Sequence, residues 1–343
     1  MATITNTIGS TGDYATYALW QDDRAGSSVS GDIERALFQS EIHAAAYSWT
    51  AGWASGVGLL LEGEDYITSA GAILRNFQIL VDSVELTSFS VKNIAFDCAQ
   101  LSGTASGKIL WFAITQTRDV TYSLEQVSFT DFVAEDGYYR FMLQCAPAMG
   151  GNTCNLILDN VLAMASGDGG FHNLFALNPG DGTFNCTLRN CTFDFIHDNT
   201  VVNIASWGKA TPLSYNVSCE GSLMNVLWDS GGNATYTLNS TDCIVRGTAF
   251  SDWTNINRTA NVTFVEGTPA SGQVGWVSST AGDYRLVDDA NNIAIDYCVS
   301  SSGPTIDYYG VTRDSIADAG AFELFTLVSD ISLHLPYTYL KLY

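Results

Sequence analysis

The chain has 343 residues, of which 46% are hydrophobic and 15% charged. This apolar content excludes a disordered tail, because such a chain can bury a large core. Its 36 acidic and 14 basic residues give a net charge of −22, which would repel a phosphate backbone and argues against nucleic acid as a partner.

The opening sequence, MATITNTIGSTGDYATYALW, has no basic region followed by an apolar stretch, and the chain has no apolar run long enough to cross a membrane. We therefore expect a protein without a signal peptide or membrane partner, assembled in the cytoplasm. DYATYALWQDD predicts a short amphipathic helix with Asp13 as its N-cap, and residues 32–46 predict a second helix. Either helix is expected to close the N-terminal end of the fold.

One template recurs five times further along the chain. It reads apolar, any residue, Asn or Gln, apolar, any residue, apolar. The copies are ILRNFQI (73–79), SVKNIAF (90–96), SLEQVSF (123–129), ILDNVLA (157–163) and TLRNCTF (187–193).

The apolar residues of this template change phase at the amide. Before it they alternate, as at Phe89 and Val91, with the period of a strand buried on one face. After it they are one residue out of step, at Ile94 and Phe96, so the chain must bend between them. Asn tolerates the left-handed backbone of a tight corner. The template therefore predicts one-residue corners whose side chains stack as an amide ladder: Asn76, Asn93, Gln126, Asn160 and Asn190.

Repeated strands and corners predict an all-β fold, a single-stranded right-handed parallel β-helix, over residues 61–324. Residues 1–60 are predicted to be an N-terminal cap or attachment segment. Residues 325–343, FTLVSDISLHLPYTYLKLY, form an apolar tail, which is either an interface or docking strand or a last strand lying on its own β-helix.

The signals for chemistry are weak. Asp194, His197 and Asp198 could line an acidic groove for general acid–base cleavage of polysaccharide, although solvated edge carboxylates and a structural histidine are the favoured interpretation. We predict no catalytic residue, metal site or cofactor, and a polysaccharide lyase or glycosidase stays open. The 8 cysteines form no CxxC pair, which favours free structural thiols over disulfides.

The closing segment, residues 283–324, contains DYRLVDDANNIAIDYC and DYYGVTRDSIADAGAFEL. It resembles the end of right-handed β-helix repeat proteins, a large bacterial and phage group in which D-Y-R-L, A-I-D-x-G and D-I-G-A-F-E recur. Cys298 stands where the family has glycine, and Ala319 where it has isoleucine. The matching residues are Asp283, Tyr284, Arg285, Leu286, Ala294, Ile295, Asp296, Arg313, Asp318, Gly320, Ala321, Phe322 and Glu323.

The opening TIGSTG-DYATYALW is also similar to the start of phage structural members of this group. The resemblance implies a non-enzymatic virion protein, and with the acidic charge it favours a capsid decoration or turret-like protein on the outer head surface. The implied partners are further copies, in a homotrimer, and the major capsid protein or other virion proteins. The alternative is a tailspike or tail fibre that binds, or also cleaves, host surface polysaccharide.

Overall fold

The structure is a computed structural model of the chain. It describes residues 2–44, 48–49, 53–65, 71–75, 77, 79–81, 86–97, 108–112, 118–133, 140–145, 152–166, 172–177, 183–195, 201–203, 214–220, 223–225, 227–229, 235–241, 244–246, 255–259, 263–265, 276–278, 283–286, 292, 294–298 and 304–324. The predicted tail at 325–343 therefore lies outside the described residues.

The elements follow one another in this order: β1 (Thr3–Ile8), α1 (Tyr17–Ala25), β2 (Ile33–Phe38), β3 (Ile42–Ala44), β4 (Ser48–Trp49), β5 (Gly58–Gly63), β6 (Ala72–Arg75), β7 (Ile79–Val81), β8 (Ser88–Asp97), β9 (Lys108–Phe112), β10 (Val120–Val133), β11 (Arg140–Cys145), β12 (Thr153–Asp159), β13 (Leu162–Ser166), β14 (His172–Leu177), β15 (Thr183–Arg189), β16 (Thr192–Phe195), β17 (Val201–Asn203), β18 (Ser214–Glu220), β19 (Leu223–Asn225), β20 (Leu227–Asp229), β21 (Thr235–Thr241), β22 (Ile244–Arg246), β23 (Asn255–Thr259), β24 (Thr263–Val265), β25 (Trp276–Ser278) and β26 (Asp283–Leu286).

The strands stack in parallel as a β-solenoid. On the first face, each strand pairs with its counterpart one coil later, in the order β1, β2, β5, β8, β10, β12, β15, β18, β21, β23. The second face runs in the order β3, β6, β8, β10, β13, β16, β19, β22, β24. A third face holds β4, β7, β9, β11 and β14, and β17 pairs with β20. The predicted all-β parallel β-helix is confirmed. Connections between parallel strands of one sheet are nearly always right-handed, which agrees with the predicted right-handed coil.

The chain bends between the first and second faces at a single residue. Strands β8 and β10 continue through this bend, and on β8 the buried positions alternate up to Asn93 and then shift by one. The left-handed backbone that the template predicts is present at four corners: φ is 54° at Asn93, 53° at Gln126, 52° at Asn160 and 51° at Asn190. Asn76 itself lies outside the described residues, but β6, which precedes it, already pairs with the part of β8 that follows Asn93. Since Glu62 pairs with Lys92, the position equivalent to Asn93 on that coil is Gly63, and the template copy at 73–79 is not in register with the other four.

The core consists of side chains stacked from coil to coil. Phe96 and Phe129 occupy the same inward position on neighbouring coils, and their rings stack with centroids 5.1 Å apart. Ala163 follows in the same column, and Phe193 follows Ala163. Each buried phenylalanine contributes about 1.5–3 kcal/mol before entropy is counted, but only while the neighbouring coil is in place.

Four cysteines of the described residues are buried thiols that are not joined in disulfides, as predicted: Cys154, Cys186, Cys191 and Cys298. Cys186 stacks on Leu156 of the preceding coil. Burial in the core raises the pKa of the Cys186 thiol and that of the Cys191 thiol, which lies past the corner, well above the usual range. These thiols are therefore poor nucleophiles in the folded protein.

We expect iodoacetamide to leave Cys186 and Cys191 unmodified in the native protein at pH 8 and to alkylate both in denaturant, because only unfolding exposes them and restores an ordinary pKa. Peptide mass mapping of the two samples measures this. Rapid modification of either thiol under native conditions would contradict the stacked interior position.

The N-terminal helix begins later than the sequence indicated. Helix α1 has Thr16 as its N-cap, whose side chain accepts a 3.3 Å hydrogen bond from the Leu19 N–H. The prediction of Asp13 was wrong because Asp13 accepts hydrogen bonds from the Thr7 backbone N–H and hydroxyl instead. Trp20 of the helix is fully buried, so the helix packs on the core as expected of a cap.

The second predicted helix, at 32–46, is wrong: the described part of this stretch, up to Ala44, contains β2 and β3. Burial along β2 alternates, with Glu34, Ala36 and Phe38 inside. Glu34 is tolerated there because Arg24 of α1 pairs with it at 2.8 Å. The segment 1–60, predicted as a cap, thus contributes strands to the solenoid from β1 onward. Among the described residues, no helix is long and apolar enough to cross a membrane.

Candidate functional site

The outward positions of the first two faces carry ion pairs that join neighbouring coils. They are Arg35–Glu62 at 2.7 Å, Arg75–Asp97 at 2.7 Å, Lys92–Glu125 at 2.8 Å and Arg189–Asp159 at 2.5 Å. Each is partly exposed, so each stabilises the fold by about 1 kcal/mol at most. These charges hold one coil to the next along the outer surface.

Of the three candidate catalytic residues, the structure describes only Asp194. Asp194 lies on β16, in register with Met164 on one side and Asn225 on the other. His197 and Asp198 lie outside the described residues, so the grouping of the three stays a prediction. Within the part of the chain that is described, no three His, Cys, Asp or Glu side chains form a group that could hold a metal ion.

The closing segment folds back onto the corner of much earlier coils. Gln126 Nε2 donates a hydrogen bond of 3.2 Å to the carbonyl of Asp307, across 181 residues of sequence. One coil later, Asn160 Nδ2 donates a bond of 2.8 Å to the carbonyl of Ile306. The corner amides therefore form a docking line for residues 304–324.

This docking corrects the predicted amide ladder. The amides of Gln126 and Asn160 bond to the closing segment, because a peptide carbonyl lies in front of each of them. Asn190 is 1% exposed, and neither atom of its amide has a hydrogen-bond partner within the described ranges. The corners therefore stack in register without a chain of amide-to-amide hydrogen bonds among them.

Apolar contacts add to the docking. Leu162 lies just past the Asn160 corner and faces outward, yet it is 4% exposed because Tyr308, Ala321 and Phe322 pack on it. The Ala321 N–H donates to Thr192 Oγ1 at 2.9 Å on the next coil. We did not predict these contacts, although an outward leucine on a strand beside a polar corner was a visible signal for them.

Arg313 joins the closing segment to the corner. Its Nη2 donates to Asn160 Oδ1 at 3.2 Å and to the Gly320 carbonyl at 2.8 Å. Its Nη1 donates to the Asp318 carbonyl at 3.2 Å and pairs with Glu323 at 3.1 Å. A planar guanidinium offers several donors in a fixed fork, which suits one cation that must bond in several directions.

Two buried carboxylates shape the turns around Arg313. Asp307 Oδ1 accepts from the N–H groups of Tyr309 and Val311, and its Oδ2 accepts from the Glu323 N–H. Asp318 bonds in the same way to the N–H groups of Asp296 and Leu324.

The residues singled out by resemblance therefore fall into two groups. Arg313, Asp318, Gly320, Phe322 and Glu323 come together at the corner. Asp296, an exposed residue with φ of 50°, joins this group through its N–H, which donates to Asp318, whereas Asp283 and Arg285 lie on β26, which pairs with β25.

Burial sets the protonation of this cluster. It raises the pKa of Asp318 to about 6, against the effect of the two backbone hydrogen bonds. Burial also raises the pKa values of Asp307 and Glu323 and lowers that of Arg313. Three carboxyl groups share one guanidinium here, so the folded cluster favours taking up a proton.

We expect residues 304–324 to be held more firmly near pH 4 than near pH 7. The folded pKa of Asp318 lies above its ordinary value, so this stabilisation is present below about pH 3.8 and is lost as pH rises through about 6. Thermal unfolding midpoints across this range measure the effect. Asp318→Asn should flatten the profile and the exposed Asp314→Asn should not; equal profiles for wild type and Asp318→Asn would contradict the account.

Comparison of the chain with protein-family models, with curated proteins and with solved structures gives no significant match. The resemblance to right-handed β-helix repeat proteins therefore rests on the residues of the closing segment and of the opening.

Proposed function

We propose that the chain is a non-enzymatic structural protein of a bacteriophage virion, displayed on the outer surface of the head as a decoration or turret-like protein. The observation that carries this proposal is the closing segment, which folds back over a corner already joined coil to coil by ion pairs. These ion pairs and the docked segment join successive coils, as a rigid projection requires.

The mechanical argument follows from the topology. In a solenoid each coil contacts only its neighbours, so a stack can open one coil at a time. The closing segment bonds to Gln126, Asn160 and Thr192 on three successive coils. It therefore links coils that would otherwise separate independently, and it makes their opening more cooperative.

The charge supports the outward location. A net charge of −22 disfavours the genome-facing side of a shell and keeps a crowded surface protein soluble. The phage assignment itself rests on the similarity of the opening TIGSTG-DYATYALW to phage structural proteins. The partners that fit are further copies, in a homotrimer, and the major capsid protein.

Biotinylation of intact purified particles with a membrane-impermeant amine reagent tests the location. We expect this protein to be labelled as fully in intact particles as in disrupted ones, whereas an internal virion protein is labelled only after disruption. Labelling that requires disruption, or absence of the protein from the particles, would contradict the proposal.

A further inference from the structure

The first outward position after the corner forms one column along the second face. Its members are register partners on successive strands: Ile42, Ile73, Ala95, Ser128, Leu162 and Thr192. Most are apolar, although outward positions of a solenoid normally face water. A segment lying over this column would remove these apolar side chains from water.

The closing segment covers its later part. Leu162 and Ala95 pack against the cluster of Tyr308, Ala321 and Phe322. Thr192 is 1% exposed beneath the same cluster. Nothing among the described residues covers the first member in this way, since Ile42 is 52% exposed.

The strand edge at Ile42 is open as well. Among the described strands β3 pairs only with β6, and the Glu41 carbonyl accepts from the Ile73 N–H at 3.1 Å. Backbone groups of alternate residues face opposite edges of a strand. The N–H and C=O groups of Ile42 and Ala44 therefore face away from β6, and no other described strand pairs with them. An exposed apolar side chain and an open strand edge, as far as the described residues show, thus lie at one place.

We propose that the C-terminal tail of the same chain, residues 325–343, continues the cover of the closing segment and lies over Ile42 and Ile73 at the edge of β3. The tail follows directly on the segment that already covers the column. Ile331, Leu333 and Leu335 alternate with polar residues, the pattern of a strand with one apolar side. With one acid, Asp330, and one lysine, Lys341, the tail adds no net repulsion to an acidic chain.

The tail is long enough for this path. From Thr192 back to Ile42 the column spans about five strand spacings, roughly 24 Å. An extended chain covers about 3.3 Å per residue, so a link of about seven residues bridges this distance. The alternating stretch that begins at Ile331 then reaches the edge of β3.

A photocrosslinker placed at position 42 tests the inference directly. The full-length protein would carry p-benzoylphenylalanine at position 42, or at position 29 as a matched control, because Val29 is 57% exposed and outside the column. Each protein is mixed with an equal amount of its ¹⁵N-labelled form, irradiated and mapped by mass spectrometry.

We expect position 42 to crosslink to peptides from 325–343 of the same isotopic chain, and position 29 to give no such product. Three results would overturn the inference: crosslinks to the tail of the other isotopic chain, equal tail crosslinking from position 29, or no tail crosslink from position 42.

Hydrogen exchange gives a second measurement that leaves the docking residues unchanged. Deleting 325–343 should speed exchange of the Ile42 and Ala44 amides about tenfold or more, because their edge becomes open to water. The Thr5 amide on β1, outside the column, serves as the control and should not change. Unchanged exchange at β3 would reject the inference. This inference does not depend on the proposed virion function.

Discussion

Replacing Arg313 with methionine is expected to lower the free energy of unfolding by about 3–5 kcal/mol, the cost of breaking a buried ion pair. Arg313 is 8% exposed and serves Glu323, Asn160 and two backbone carbonyls at once. Methionine fills a similar volume but removes the guanidinium from all four acceptors, and Glu323 keeps only the backbone N–H groups of Asp314 and Asp318 as donors. Residues 304–324 should then leave the corner, and urea unfolding followed by circular dichroism should show the loss.

Arg313→Lys is the matched control. Lysine keeps a positive charge near Glu323 but lacks the planar fork, so it cannot also reach Asn160 and the carbonyls of Asp318 and Gly320. We expect an intermediate loss, with protease cleavage inside 304–324 faster than in wild type and slower than in the methionine variant. A change of less than about 1 kcal/mol for Arg313→Met would show that the closing segment contributes little to stability.

Asn160→Gly is expected to cost about 2–5 kcal/mol. Glycine keeps the left-handed backbone of the corner, where φ is 52°, so the loss isolates the side chain. The variant removes the side-chain donor of the Ile306 carbonyl and one of the two acceptors of Arg313 Nη2. A lost hydrogen bond costs about 0.5–1.5 kcal/mol, and about 1.5–3 kcal/mol where one partner is charged. Asn160→Ala should cost about 1–2 kcal/mol more, because alanine disfavours this backbone conformation.

Asn190 supplies the comparison. Its φ is 51°, but its amide makes no hydrogen bond within the described residues. Asn190→Gly should therefore change stability by no more than about 0.5 kcal/mol. Equal losses at Asn160 and Asn190, measured by the same urea unfolding, would mean that the corner amides act through the backbone alone and not through the closing segment.

The corner could be predicted from sequence because its cause is local. A one-residue bend needs a residue that tolerates positive φ, and the bend shifts the inward positions by one. The sequence around Asn93 shows both the residue that tolerates positive φ and the one-residue shift of the inward apolar positions. The same reasoning anticipated buried thiols outside disulfides at Cys186 and Cys191, since both occupy inward positions of the template.

The error at 32–46 has an equally local origin. IERALFQSEIHAAA is rich in strong helix formers, and short apolar runs fit helix and strand patterns alike. Stacking on β1 and β5 overrides that propensity in β2. The buried Glu34 also hid the alternation, because its partner Arg24 belongs to another element.

The docking of the closing segment was beyond prediction for a different reason. Resemblance marked Arg313, Asp318, Gly320 and Glu323, but not what they touch. The contact between Gln126 and Asp307 joins residues 181 apart, and no periodic pattern reports a contact at that distance. Only the outward Leu162 gave a hint that something covers the corner.

The copy number of this protein in purified particles, measured by mass spectrometry against the major capsid protein, tests the proposed role most directly. A decoration protein should be present at a fixed ratio comparable with that of the capsid subunit. A handful of copies per particle would contradict the head location and favour the tailspike alternative, and absence from the particles would contradict a virion role altogether.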